Sequence, residues 1–247
     1  MTLHQFLTDP GTLDEARVGE RFVLRGPEGH HAATVKRLQA GERIWVADGA
    51  GTRATGTVVA AAGGALDLTL TAVCREPAPA VTFTLVQGLA KGERDEQAIE
   101  AATELGVDRI VPWQADRSIV QWRGERAEKS RRKWADAVRS AAKQSRRAWI
   151  PEVEDVVTSP QLVQRARRAD AVFVLHEEAG VSLAAHPVPA AGEVVIVVGP
   201  EGGITPTELA ALAGAGGIPL RLGGHVLRSS TAGPAALAVL SAASRWQ

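Results

Sequence analysis

Residues 194–208, VVIVVGPEGGITPTE, have the pattern from which the architecture can be predicted. The apolar, β-branched run 194–198 predicts a strand that is buried on both faces. A glycine-rich turn follows, and Thr205, Pro206 and Glu208 then form a capping-box helix start with proline in the first turn. A buried strand that leads through a turn into a helix is the repeating unit of a parallel α/β sheet.

The same alternation of strands and helices extends from residue 78 to the end of the chain. Each apolar run is followed by a helical pattern, which predicts a parallel sheet covered on both faces by helices. We expect strands at 81–87, 108–112, 171–175, 194–198 and about 220–222. We expect helices at 93–105, 129–145, 206–213 and about 234–245.

The first third of the chain has a different pattern, with short strands separated by turns. Strands are expected at 21–24, 43–47, 56–59 and 66–70, and the pairs Asp48-Gly49 and Gly63-Gly64 favour turns. This pattern is typical of a small closed or half-closed β-barrel. Residues 76–80, EPAPA, interrupt regular structure, so we place a domain boundary there, between 1–77 and 78–247.

Composition excludes several classes of protein. The 28 basic residues balance the 28 acidic ones, which excludes a uniformly basic coat for nucleic acid. No apolar run is long enough to span a membrane, and the start of the chain lacks a signal-peptide pattern. Cys74 is the single cysteine, so we expect neither disulfides nor a cysteine metal cluster. We expect a soluble cytoplasmic protein that binds no metal and no membrane.

One segment is strongly basic. Residues 123–147 contain 10 basic and 3 acidic residues, a net charge of +7, whereas the neighbouring segments are acidic. This distribution favours binding to the phosphates of RNA, although a solvated helix face is the simpler alternative. The expected contacts in this segment recur at helical spacings: Arg131, Arg132, Arg139, Lys143, Arg146 and Arg147. A second RNA contact is expected in the first domain at His30, His31, Lys36 and Arg37.

Two glycine-rich loops are the candidate ligand site. Glycines after a buried strand allow backbone amides to approach a ligand closely, but Glu201 does not suit a phosphate. A nucleoside that carries a positive charge and no phosphate fits this loop better. The second loop, 220–234, has two glycines, then Val226 and Leu227, which we expect to be buried, and then Arg228. A plain strand-to-helix turn and an ordinary surface arginine remain open as alternatives.

Taken together, the loops GPEGGITPTEL and LRLGGHVLRSSTA resemble SPOUT-class methyltransferases, specifically the ribosomal RNA small subunit methyltransferase E family. Further matching strings are HH at 30–31, VKRL at 35–38, QGLAK at 87–91 and SAAKQSRR at 140–147. The resemblance implies methylation of ring nitrogen N3 of a uridine in 16S rRNA, with S-adenosylmethionine as the methyl donor. It also implies a PUA-like β-barrel before the linker, a C-terminal trefoil knot after it, and a homodimer.

The same resemblance implies functional residues. His225 stands where arginine is frequent in the family, and Ser230 stands where glutamate is frequent. The resemblance extends the RNA contacts to Lys91. The implied cofactor-binding residues are Gly199, Glu201, Gly202, Leu222, Gly223, Val226, Leu227, Thr231 and Ala232.

Methyl transfer to N3 of uracil requires that this nitrogen lose its proton. A guanidinium facing a uracil carbonyl would stabilise the anion as it forms, and Arg228 is the hypothesis for that role. His225 and Glu201 are the candidates for the proton acceptor.

Two other functions compete with this one. The first is a non-catalytic ribosome- or RNA-binding module, which would tolerate a degenerate first loop; here that loop is intact. The second is a serine hydrolase built on Ser229 or Ser230 with His225. It lacks the G-x-S-x-G turn that such an enzyme needs.

Overall fold

The computed structural model describes residues 3–92 and 94–247. The chain divides into two compact units. Unit 1 comprises the described residues up to 78 together with 142–150, and unit 2 comprises 79–141 and 151–247. The sequence placed the boundary one residue earlier and assigned 142–150 to the second domain, whereas in the structure these residues pack with unit 1.

Unit 1 is built on a five-stranded sheet in the order β1-β3-β4-β5-β2. β1 runs parallel to β3, and the other neighbours are antiparallel. Within the described residues β1 and β2 form the two edges of this order. The strands are β1 His4–Leu7, β2 Arg21–Leu24, β3 Arg43–Ala47, β4 Thr52–Ala62 and β5 Ala65–Arg75. A short helix, α1 Gly26–His30, continues into a π-helical turn, His31–Val35.

Unit 2 is built on a parallel sheet in the order β12-β10-β11-β6-β7-β8, and β9 also pairs with β7. This confirms the predicted parallel α/β sheet. Its strands are β6 Val81–Gly88, β7 Arg109–Gln114, β8 Glu152–Val153, β9 Val157–Thr158, β10 Ala171–Leu175, β11 Gly192–Val198 and β12 Gly217–Leu220. The helices are α2 Arg94–Glu104, α3 Glu125–Gln144, α4 Ser159–Ala166, α5 Pro206–Gly214 and α6 Ser229–Ser244, and residues 142–144 at the end of α3 belong to unit 1.

The motif at 194–208 folds as predicted. Residues 194–198 of β11 are at most 3% exposed, because the strand lies in the middle of the sheet. The Thr205 hydroxyl accepts a hydrogen bond from the Glu208 backbone N–H at 3.2 Å. The Glu208 carboxylate in turn accepts one from the Thr205 N–H at 2.9 Å, which completes the capping box of α5.

Two expected elements have other bounds in the structure, and one helix was not predicted. The last strand ends at Leu220, and residues 221–222 lie beyond it. The last helix begins at Ser229 and not near Pro234, which instead lies buried inside α6. Helix α4 was missed although Thr158 and Gln161 form a capping box in front of it.

Candidate active site

A cleft opens in unit 2 where strands β10 and β11 end. One cavity of about 410 Å³ lies between the turn after β11 and the start of α6. A smaller cavity of about 150 Å³ adjoins it along the loop after β12. Both cavities are lined by Leu175, His176, Glu177, Val226, Leu227 and Ala232. The carboxyl ends of parallel strands are where open α/β sheets bind ligands.

The turn after β11 is tightly packed around its glycines. A Cβ at Gly199 would lie 2.8 Å from Cγ1 of Ile204, and a Cβ at Gly202 would lie 2.9 Å from Cβ of Arg117. Arg117 also donates from Nη1 to the Gly202 carbonyl at 3.0 Å. Glycine at these two positions therefore lets the turn fold closely against its neighbours, with Gly199 on the wall of the cleft.

Glu201 projects from the same turn and is held by the segment before α2. Its Oε1 accepts hydrogen bonds from Arg94 Nη1 and from the Lys91 backbone N–H, both at 3.1 Å. Arg94 and Glu201 both line the cleft. One oxygen of this carboxylate is therefore already committed to fixing the position of the turn.

The loop after β12 exposes its apolar side chains. Val226 is 77% exposed and Leu227 is 36% exposed, so the expectation that both are buried was wrong. The physical reason is that the loop leaves the sheet at Leu220 and lines the cleft, where neither side chain is covered by another layer of unit 2. Two apolar side chains on the cleft wall are suited to contact a ligand or a partner.

Arg228 and His225 both lie at the cleft. Arg228 lines the larger cavity as the residue before the first turn of α6, and its side chain is exposed. His225 lines the smaller cavity and is exposed as well. Beside Arg228, the buried Ser229 hydroxyl has no hydrogen-bond partner within the described residues, although Ser229 is part of the cavity wall.

The structure brings most of the predicted cofactor residues to this cleft. Those that line it are Gly199, Glu201, Leu222, Gly223, Val226, Leu227 and Ala232. Gly202 and Thr231 do not line it; Gly202 instead faces Arg117, and Thr231 lies in the first turn of α6.

Sequence reasoning missed one wall of the cleft. Leu175, His176 and Glu177 lie at the end of β10, and Arg94 lies at the start of α2. β10 had itself been predicted as a strand. Because the carboxyl ends of parallel strands meet at one edge of a sheet, the residues after β10 could have been expected beside the two loops. The sequence did not reveal that β10 lies between β11 and β12.

A buried carboxylate lies next to Arg94 in α2. Asp95 is 5% exposed, and burial raises its pKa to about 6. Hydrogen bonds from the backbone N–H groups of Glu96 and Ala90 oppose this effect. By contrast, the pKa of Glu208 lies below its usual range because hydrogen bonds from Ser159, Asp116 and Thr205 outweigh the effect of burial.

The predicted RNA contacts of unit 2 differ in availability. Lys91 is exposed. Arg131 is engaged by Glu128 at 3.0 Å, by Asp155 at 3.3 Å and by the Val153 carbonyl at 3.4 Å. Arg132 is exposed and Arg139 is half-buried.

The predicted RNA contacts of unit 1 also differ in how far they are available to a ligand. Lys143 forms an ion pair with Glu28 at 2.8 Å and lies over the Phe6 ring. The pKa of His31 is lowered, first by burial and then by the charge of Lys143. Arg147 is half-buried. The exposed members are His30, Lys36, Arg37 and Arg146.

Arg37 and Arg146 have left-handed backbone angles, with φ of 53° and 61°. Such angles are uncommon for residues other than glycine and often accompany functional sites.

Two other kinds of site are not found in the described part of the chain. Among residues 3–92 and 94–247, no group of three or more His, Cys, Asp or Glu side chains is arranged to hold a metal ion. In the same ranges, no helix has both the length and the apolar character that a membrane span requires.

Comparison with known families agrees with this geometry. Residues 76–241 match the family model of an RNA methyltransferase domain, and residues 24–71 match that of an RNA methyltransferase PUA domain. The fold and the cleft therefore define an RNA methyltransferase that carries a PUA domain.

Individual relatives narrow this class. The chain is 47% identical over 233 residues to the ribosomal RNA small subunit methyltransferase E of Mycobacterium tuberculosis (strain CDC 1551 / Oshkosh), covering 92% of this chain and 89% of that protein. It is 31% identical over 228 residues to the protein of the same name from Bacillus subtilis (strain 168), covering 89% of each chain. The chain belongs to the ribosomal RNA small subunit methyltransferase E family.

Solved structures agree over the full length. A methyltransferase from Legionella pneumophila, solved in complex with its bound cofactor SAM, has a TM-score of 0.85 and 28% identity, with 99% of each chain covered. The ribosomal RNA small subunit methyltransferase E of Neisseria gonorrhoeae, bound to S-adenosyl methionine, has a TM-score of 0.85 and 25% identity, with 98% of each chain covered.

Proposed function

We propose that this protein transfers a methyl group from S-adenosylmethionine to ring nitrogen N3 of a specific uridine in the 16S rRNA of the small ribosomal subunit, in the cytoplasm. The observation that carries the proposal is the cleft at the ends of β10 and β11, where both glycine-rich loops and Arg228 form one wall. The named relatives, which are small-subunit rRNA methyltransferases, support the substrate class.

The residues of the cleft fit S-adenosylmethionine. The turn at 199–203 brings backbone close to the cavity, and Val226 and Leu227 offer apolar surface to a nucleoside. The buried Ser229 hydroxyl, which has no hydrogen-bond partner within the described residues, is our candidate to bond a polar group of the cofactor. The cavity has neither the lysine nor the glycine spacing of a phosphate-binding loop. When bound, this cofactor supplies a methyl group on a positively charged sulfur that a nitrogen lone pair displaces.

Arg228 is the residue that we assign to the uracil. Its exposed guanidinium lies on the wall of the larger cavity, so a base that enters the cavity meets a positive charge. Facing O2 or O4, that charge stabilises the negative charge that develops when N3 loses its proton. A single donor of this kind is worth roughly 3 kcal/mol in the transition state.

The proton on N3 needs an acceptor, and His225 is the better candidate. Glu201 has one carboxylate oxygen engaged by Arg94 and by the Lys91 N–H. His225 is exposed at the adjoining cavity and has no hydrogen-bond partner within the described residues. In its neutral form, one imidazole nitrogen can accept the proton and pass it to water.

We extend the proposal to the assembly and to two features of the fold. A homodimer would cover the exposed Val226 and Leu227 and thereby complete the cleft. A trefoil knot is consistent with α6, which follows the loop after β12 and packs against α2, β6 and β11 in the middle of the sheet. We also propose that the sheet of unit 1 closes into a PUA-like barrel. The first domain, residues 1–77, then binds RNA.

The test has two stages. Calorimetric titration with S-adenosylmethionine measures binding, and transfer of a labelled methyl group to 30S particles from a strain that lacks the modification measures activity. Analysis of the methylated nucleosides then identifies the modified atom. Binding without transfer to any RNA would favour a non-catalytic RNA-binding module, and a product other than N3-methyluridine would overturn the assignment of the nitrogen.

A further inference from the structure

We infer that one basic surface of unit 2, continuous with the cleft, binds the RNA backbone on one side of the methylated nucleotide. The inference rests on the proposed function and adds to it the path of the substrate. We call this surface the basic strip, and its residues are Lys91, Arg94, Arg126, Lys129, Arg132 and Lys133.

The outer part of the basic strip is the first half of α3. Arg126 and Lys129 are exposed, and neither side chain has a partner within the described residues. Arg132 is 68% exposed, and its guanidinium lies no closer than 3.7 Å to its one acidic neighbour, Glu128. These cations border a shallow depression on the surface of the helix. They are therefore available to an external anion.

This availability distinguishes Arg126, Lys129 and Arg132 from other cations of the basic segment. Arg131 lies on the same helix but bonds to Glu128, Asp155 and the Val153 carbonyl. The side chain of Lys143 is likewise engaged by Glu28. A side chain that already has an acidic partner gains less from binding a phosphate, because the existing ion pair must be broken.

A direct contact joins the strip to the cleft. Lys133 Nζ lies 2.5 Å from Oε1 of Glu96, and so α3 is held against the first turn of α2. Arg94 begins that same turn, lies on the cleft wall and binds Glu201. Lys91 precedes it and is exposed. An RNA strand that leaves the cleft past Arg94 would thus contact successive cations along α3.

The charge and the spacing of the strip suit a polyanion. Glu96 and Glu201 are neutralised by Lys133 and Arg94, and Asp136 is the acidic residue that borders the depression. Arg126, Lys129 and Arg132 follow one another at three-residue intervals, so they repeat about once per helical turn of roughly 5.4 Å. A regular row of cations matches a chain of phosphates better than it matches a single small anion.

The test is the double variant Arg126→Gln/Lys129→Gln, assayed for binding to 16S rRNA at several KCl concentrations. The matched control is Arg167→Gln/Arg168→Gln, which removes the same charge from two exposed residues after α4 that do not belong to the strip. Loss of two phosphate contacts to single-stranded RNA should weaken binding about 10- to 30-fold near 0.1 M salt. The negative slope of log K against log salt should become shallower by about 1.4. The control should bind as the unchanged protein does.

The outcomes separate this inference from the proposed function. Affinity for S-adenosylmethionine should be equal in all three proteins, because neither pair lines the cleft. If the unchanged protein methylates the RNA but the strip variant binds with the same affinity and slope, the strip is not the RNA path. An equal loss in the control would also overturn the inference, since it would reveal an effect of net charge alone. If the unchanged protein neither binds nor methylates rRNA, both proposals fail.

Discussion

Arg94 and Glu201 are 107 residues apart in the sequence, yet Nη1 of the arginine lies 3.1 Å from Oε1 of the glutamate. This pair joins the start of α2 to the glycine-rich turn after β11. The Lys91 backbone N–H bonds to the same oxygen, so the carboxylate is held from two positions. The geometry assigns Glu201 a positioning role at the cleft wall.

Glu201→Gln should therefore have a small effect. The amide oxygen can still accept from the Lys91 N–H, while the charge attraction to the partly exposed Arg94 is lost. Exposed pairs of this kind are worth about 0.2–1 kcal/mol, which corresponds to a rise of up to about fivefold in the dissociation constant of S-adenosylmethionine. Calorimetry measures this constant, and the pH dependence of methyl transfer should be unchanged.

Arg94→Gln is the reciprocal variant. If the two residues act through their contact, the double variant should be no worse than the more affected single variant. A pH–rate profile that loses a limb in Glu201→Gln would show instead that this carboxylate accepts the proton, and the assignment to His225 would then be wrong.

Arg228→Ala should separate binding from catalysis. The guanidinium is expected to act on the charge that develops on uracil, so kcat for methyl transfer should fall about 100-fold or more. Affinity for S-adenosylmethionine should change little, because the cofactor contacts assigned above are formed by other residues.

Arg228→Lys tests the geometry of the same contact. Lysine keeps the charge but lacks the planar pair of donors, so an intermediate rate is expected. Turnover in Arg228→Ala that equals that of the unchanged protein would remove the assignment of this arginine to the uracil.

Gly199→Ala should disturb the turn that forms the cleft wall. The added methyl group would lie 2.8 Å from Cγ1 of Ile204, and relief of such overpacking typically costs about 1–3 kcal/mol. The cost should appear as weaker cofactor binding and a lower melting temperature. Gly214→Ala, at the end of α5, is the control: nothing lies within 4 Å of its Cβ position, so this change should leave cofactor affinity unaltered.

The features that could be predicted from the sequence are local ones. The strands 21–24, 43–47 and 171–175 occur with the expected bounds. The helix start at Thr205 was also predicted, because the capping box lies within four consecutive residues. The two glycine-rich loops were joined into one site by the resemblance to a known family, and the structure places residues of both on one cleft.

The features that could not be predicted depend on tertiary packing. Pro234 favours a helix start at that position, but the helix begins at Ser229 and the proline is buried within it. Val226 and Leu227 have apolar side chains that suggest burial, and only the path of the loop explains their exposure. Arg131 and Arg132 are adjacent and chemically identical. Arg131 is engaged by Asp155, whereas Arg132 is exposed, and this difference depends on where the fold places Asp155.

Asp95→Asn should alter the pH dependence of stability. Burial raises the pKa of Asp95 from 3.8 to about 6, so between these values the folded protein binds a proton that the unfolded chain lacks. The contribution of this group to the free energy of unfolding therefore decreases as pH rises from about 4 to 6, by roughly 1–3 kcal/mol, and is constant above that window.

Asparagine does not titrate and can still accept the Glu96 N–H bond, which is 2.9 Å in length. In urea titrations the variant should match the unchanged protein at pH 4 and be more stable at pH 8. A difference between Asp95→Asn and the unchanged protein that is the same at every pH would mean that the pKa of Asp95 is equal in the folded and unfolded chains, so that hydrogen bonds from the backbone offset its burial.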